Sequence, residues 1–136
     1  MDERVNREVL HEMYQRTRRV EKGLNERLKD HGLYSSQWSL LFCLDRFGPV
    51  SQTDLWKYLN VEAPTVTRTI HRMEANGWVE RTEGEDKREK IVSMTPFARE
   101  RFDAIQRDVI AMESDLLRQL TEEERHELHR LLSKIE

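Results

Sequence analysis

Thr65, Arg68, His71 and Arg72 recur every three or four residues between Pro64 and Asn76. On a helix that spacing lines them along one side. Hydroxyls, an imidazole and two guanidiniums in a row can read base edges and hold phosphates, and Pro64 and Thr67 extend the row. Further on, Asp86-Lys87-Arg88 lies inside the charged run EGEDKRE, which adds two cations at a turn-prone tip. Upstream, the hydroxyls of Ser51 and Thr53 open a predicted helix whose N-terminus can hold a phosphate, although helix capping explains Ser51 equally well. Nothing comparable suggests catalysis. The chain has no glycine-rich phosphate loop, no metal-ligand cluster and no nucleophile–base arrangement, so neither an enzyme nor a metal or cofactor is expected. His126 and His129 share one face of an acidic helix and read as exposed. The single cysteine, Cys43, lies in an apolar run and reads as core.

The row needs a frame. Pro64 suits the first position of a helix, and Val66, Ile70 and Met73 share its buried side. A shorter helix precedes it, with Ser51 as N-cap, Asp54 at the capping-box position and Leu55 and Leu59 facing inward. Asn60-Val61 makes the turn between the two. After Gly77 the pattern changes to two extended runs, Trp78–Thr82 and Lys90–Met94, on either side of EGEDKRE. The set is a helix-turn-helix with a two-stranded wing, a shape that places its second helix in the major groove of DNA.

Longer helices bracket this module. Val5, Val9, Met13, Val20, Leu24 and Leu28 mark a first helix over about 4–31, closed at Gly32. A second starts at Ser35 or Ser36, carries Trp38, Leu41, Phe42 and Leu44, and stops at Gly48-Pro49. Thr95-Pro96 opens another, where Ala98, Phe102, Ile105, Val109, Met112 and Leu116 form a heptad seam. Thr121 to Glu124 is a full capping box, leading to Leu128, Leu131, Leu132 and Ile135. The fold class is mainly α with a small antiparallel β-wing: a winged helix-turn-helix (35–95) flanked by N-terminal (1–34) and C-terminal (96–136) dimerisation helices in one integrated domain. The terminal stripes exceed what a small monomer buries. Val5, Val9, Met13, Met112, Leu116, Leu120, Leu128, Leu131, Leu132 and Ile135 are therefore assigned to a homodimer with two recognition helices on one side of DNA. Trp38, Phe42 and Phe102 are either core or the lining of a pocket for a small aromatic effector.

Composition sets limits. The chain has 136 residues, 36% of them charged, and a net charge of -3. From Glu62 to Lys90, six Lys/Arg stand against seven Asp/Glu. DNA binding must then rest on arrangement more than bulk field, and a winged-helix module that binds protein instead stays open as the alternative. No run approaches the roughly 18 apolar residues of a membrane span, and the start is charged, unlike a signal peptide. A soluble, cytoplasmic protein with no membrane partner is expected.

At this point the chain resembles the MarR family of transcriptional regulators. The resemblance runs from Gly32-Leu33 and Gln37-Trp38 to the helical C-terminus. Thr65-Val66-Thr67-Arg68 resembles the start of the family's recognition helix, and Arg72-Met73-Glu74 with Gly77 its close. Asp86-Lys87-Arg88 resembles the wing-tip D-x-R, and Met94-Thr95 the opening of the fifth helix. The resemblance implies a homodimer that binds a pseudo-palindromic double-stranded operator, as a repressor, and is released by a small aromatic ligand. It implies that Arg88 enters the minor groove, where a guanidinium suits the negative potential. It also implies that Asp86 orients the wing by pairing with Arg72 or Arg88. Two departures stand out: Glu62-Ala63-Pro64 precedes the recognition helix, and the first helix has no cysteine.

Overall fold

The computed structural model describes residues 2–136. Its elements are α1 (Glu3–Leu28), a 3-10 turn (Lys29–His31), α2 (Ser35–Phe47), β1 (Val50–Ser51), α3 (Gln52–Leu59), α4 (Ala63–Ala75), β2 (Val79–Glu83), β3 (Lys90–Met94), α5 (Pro96–Leu116) and α6 (Glu122–Leu132). The three strands form one antiparallel sheet in the order β1-β3-β2. Among the described residues no helix is long and apolar enough to cross a membrane.

Three helices end in one way. Gly32, Asn60 and Gly77 take positive φ. At each, the next residue's N–H reaches back five positions: Leu33 to Leu28, Val61 to Trp56 and Trp78 to Met73. Such paired bonds satisfy the last carbonyls and turn the chain sharply. The second and third fix where α3 hands over to α4 and α4 to β2.

The core gathers the inward faces of every segment except the 3-10 turn and α6. Leu28, Leu40, Leu41 and Leu44 meet Leu55, Val66, Ile70 and Met73, with Val79 and Val92 from the sheet and Phe102, Ile105 and Val109 from α5. One continuous cluster thus joins the winged module to the long helices. Polar ties reinforce the join. Arg99 bonds Asp45 at 2.7 Å, and His31 Nε2 lies 2.6 Å from Asp108.

Four expectations are corrected. Neither Ser35 nor Ser36 caps α2: Tyr34 is extended, and the Gln37 side chain accepts its N–H at 3.0 Å. Ser35 is tied to α1 instead, its N–H donated to Asn25 at 2.7 Å. The sheet has a third strand, β1, which two residues are too short to announce by alternation. Met112 belongs to the protomer's own core, where it packs beside Gly23 of α1, and is not free for a dimer surface. Trp38 and Phe102 are 6% and 2% exposed and stack at 5.2 Å, so they are core and not pocket lining. Phe42 is exposed, its ring tilted against that of Trp38 with centroids 6.5 Å apart.

Candidate nucleic-acid interface

The outer side of α4 is built by its inner side. Val66, Ile70 and Met73 are buried, which sends Pro64, Thr65, Arg68, His71 and Arg72 to the surface. Pro64 sits in the first turn, where its missing N–H costs nothing. Arg68 lies along the helix with Nη2 3.4 Å from Thr65 Oγ1, so a guanidinium and a hydroxyl stand together near its start.

Two of the expected DNA-facing residues are spent differently. Thr67 is half-buried on the flank of the helix, and its hydroxyl donates to the Ala63 carbonyl at 2.9 Å. Ser51 is 7% exposed, and its hydroxyl accepts the Asp54 N–H at 3.1 Å. Capping therefore accounts for Ser51, and its burial keeps the hydroxyl from the surface a phosphate would meet. Thr53, in the first turn of α3, is exposed.

The wing is a hairpin with Glu83 paired to Lys90 at its last rung. Its tip closes through Gly84 N–H to the Glu89 carbonyl and Glu89 N–H to the Asp86 carbonyl. Lys87 and Arg88 are exposed there. The Asp86 carboxylate accepts the backbone N–H of Arg88 at 3.0 Å. It therefore shapes the tip through the main chain and pairs with neither the Arg72 nor the Arg88 guanidinium.

A residue not singled out from sequence ties these parts together. Arg81 of β2 forks onto Glu74 of α4 (Nε–Oε2 3.2 Å, Nη2–Oε1 3.1 Å) and donates through Nη1 to Gln52 of α3 at 3.2 Å. Its Nη2 also lies 3.4 Å from His71 Nδ1. The Arg81 fork, first by its hydrogen bonds, holds the Glu74 carboxyl below the usual carboxylate range. The separations of 7 and 29 residues leave no local signal by which sequence could have found it.

At the other end, Thr95 donates its hydroxyl to the Gly77 carbonyl at 2.6 Å and accepts the Ala98 N–H at 3.1 Å. One side chain thereby caps α5 and ties it to the chain leaving α4. Cys43 is 1% exposed, and burial raises its thiol against a smaller opposing effect of Arg46. An open cleft of about 730 Å³ lies between α1 and the 32–34 link, lined by Arg18, Lys22, Lys29, Leu33 and Tyr34 among others. None of Trp38, Phe42 and Phe102 lines it.

On the terminal helices, Val5, Val9, Leu116, Leu128, Leu131, Leu132 and Ile135 are exposed, while Met13 and Leu120 are half-buried. That is a large apolar area to leave in water.

Comparison with known proteins agrees with this architecture. The MarR family model matches residues 33–90. The chain is 50% identical over 121 residues to the HTH-type transcriptional regulator YwoH of Bacillus subtilis (strain 168), spanning 89% of this chain and 88% of that one. It is 30% identical over 105 residues to the HTH-type regulator YdgJ of the same strain, covering 76% and 64%. Among solved structures, a MarR variant from E. coli complexed with operator DNA superposes with a TM-score of 0.85 at 25% identity, covering 91% of this chain and 90% of that one. A MarR transcriptional regulator from Methanosarcina mazei Go1 has the same fold, with a TM-score of 0.84 at 21% identity over 92% and 91% of the two chains.

Proposed function

The chain is a transcriptional regulator of the MarR family, and on that premise we propose that it represses by gripping a pseudo-palindromic operator as a homodimer. The helices of 1–34 and 96–136 pair the two copies, and 35–95 meets the DNA. Pro64, Thr65, Arg68 and Arg72 enter the major groove, with His71 at their edge. Lys87 and Arg88 reach the flanking minor groove, on a tip that Asp86 shapes. Thr53 lies beside a phosphate. The protein acts in the cytoplasm. The observation that carries this reading is α4 itself, whose buried triad leaves two guanidiniums and a hydroxyl aligned on an open face.

Release by a small aromatic effector belongs to the same reading. What supports it is the cleft beside α1, where Tyr34 offers a ring and Arg18, Lys22 and Lys29 offer cations. The exposed apolar residues of the terminal helices support pairing, since a second copy would cover them.

The test is binding of double-stranded fragments, selected from a random pool, followed by fluorescence anisotropy across salt. A dimer neutralising about six to ten phosphates gives a log–log slope of roughly -5 to -9. The near-neutral balance of 62–90 favours one other reading, a winged-helix module that binds protein. No retained fragment at low salt would decide for it.

A further inference from the structure

The Arg81 cluster bridges three elements that a winged helix must hold in fixed relation. Gln52 is the first residue of α3, Glu74 lies in the last turn of α4, and Arg81 is in the strand that leads out to the wing. The guanidinium side chain is 21% exposed. Three of its five N–H bonds go to Glu74 and Gln52, and Nη2 lies beside His71 Nδ1. A guanidinium engaged in this way has little left to offer a phosphate.

Glu74 matters for a second reason. It is half-exposed on the helix that carries Thr65, Arg68 and Arg72. In the stretch 62–90, with six Lys/Arg against seven Asp/Glu, an uncompensated charge there would work against DNA. The fork supplies the compensation, and its planar geometry fixes both carboxylate oxygens at once.

We propose that Arg81 is a positioning residue for DNA recognition, holding the wing strand against α3 and α4 while cancelling the charge of Glu74 beside the DNA-reading face. The inference rests on the operator-binding reading above. It assigns to this one cation a part different from those of Arg68, Arg72, Lys87 and Arg88. Those act on DNA directly, whereas Arg81 acts through Glu74 and Gln52. A lysine keeps the charge but lacks the fork.

The experiment uses the full chain and fragments selected by the wild-type protein from a random duplex pool. Failure of the wild type to retain any fragment ends the operator reading and is seen before any variant is made. With fragments in hand, Arg81→Ala is expected to bind tenfold or more weakly, with its log–log salt slope within about half a unit of wild type. Arg88→Ala, by contrast, should lower the slope by about one per chain that contacts a phosphate. Arg81→Lys should fall between wild type and Arg81→Ala. Adding Glu74→Gln to Arg81→Ala should recover at least threefold, because the stranded carboxylate is gone. A purely structural role would give no such recovery. Should Arg81→Ala fail to fold, Arg81→Lys with and without Glu74→Gln carries the same comparison. Unchanged affinity, a slope reduced by about one, or no recovery in the double variant overturns the proposal.

Discussion

Phe102→Ala tests whether the junction between the winged module and the long helices is solid. Phe102 is 2% exposed, stacks on Trp38 at 5.2 Å with planes 17° apart, and has Arg99 6.0 Å from its ring. Truncating a buried phenylalanine costs about 3–5 kcal/mol, from lost transfer energy and an unfilled cavity. The loss of the offset stack contributes about 0.5–1.5 kcal/mol of that. For a chain of 136 residues, the unfolding entropy near Tm is about 0.3 kcal/mol/K. The expected fall in Tm is then about 10–17 °C. Thermal unfolding followed by far-ultraviolet circular dichroism measures it, with urea titration as a second probe of the same stability. A fall below about 4 °C would refute the reasoning. It would mean that the site collapses around the missing ring, or that Trp38 and Phe102 border a space and not a packed core.

Three further outcomes follow from the same geometry. Arg68→Ala and Arg88→Ala should each weaken binding to a selected operator by about 1–3 kcal/mol, and anisotropy titrations showing unchanged affinity would remove both from the interface. Leu131→Asp combined with Ile135→Asp, two exposed apolar positions at the end of the chain, should shift the protein from dimer to monomer at micromolar concentration. Sedimentation velocity reads that directly, and a persistent dimer would place the pairing surface elsewhere. Acid should act on the Arg81 clamp in one direction. Because the folded Glu74 carboxyl is depressed, its stabilisation is complete above the ordinary value near 4.3 and is lost as pH falls below that value through the folded one. Wild type should therefore lose more stability between about pH 5 and pH 3 than Glu74→Gln does, and parallel acid-unfolding curves would show the pair contributes nothing.

The fold was legible where one residue type answers one local need. Gly32 and Gly77 end helices, Ser51, Thr95 and Thr121 cap them, and Pro64 and Pro96 open them. Val66, Ile70 and Met73 carry the period that orients α4, so its outer face is legible from the sequence alone. What escaped depends on contacts across the chain. At the start of α2, Gln37 reaches back to the Tyr34 N–H, while Ser35 is already inside the helix and gives its N–H to Asn25 and its hydroxyl to Glu21, both on α1. Met112 continues a heptad seam in sequence, yet Gly23 leaves room for it inside the protomer. A stripe shows that a face is covered without showing what covers it. Arg81 is the clearest case, since a cation in a strand looks solvated until Glu74 and Gln52 arrive beside it.

The account depends on two copies presenting α4 to one duplex. Footprinting on fragments selected from a random pool, with the number of bound chains counted by native mass spectrometry, tests this most directly. The prediction is two chains per fragment over inverted half-sites whose centres lie about one helical turn, roughly 10 base pairs, apart. A single chain on a solitary half-site, or selected sequences with no inverted repeat, would contradict it.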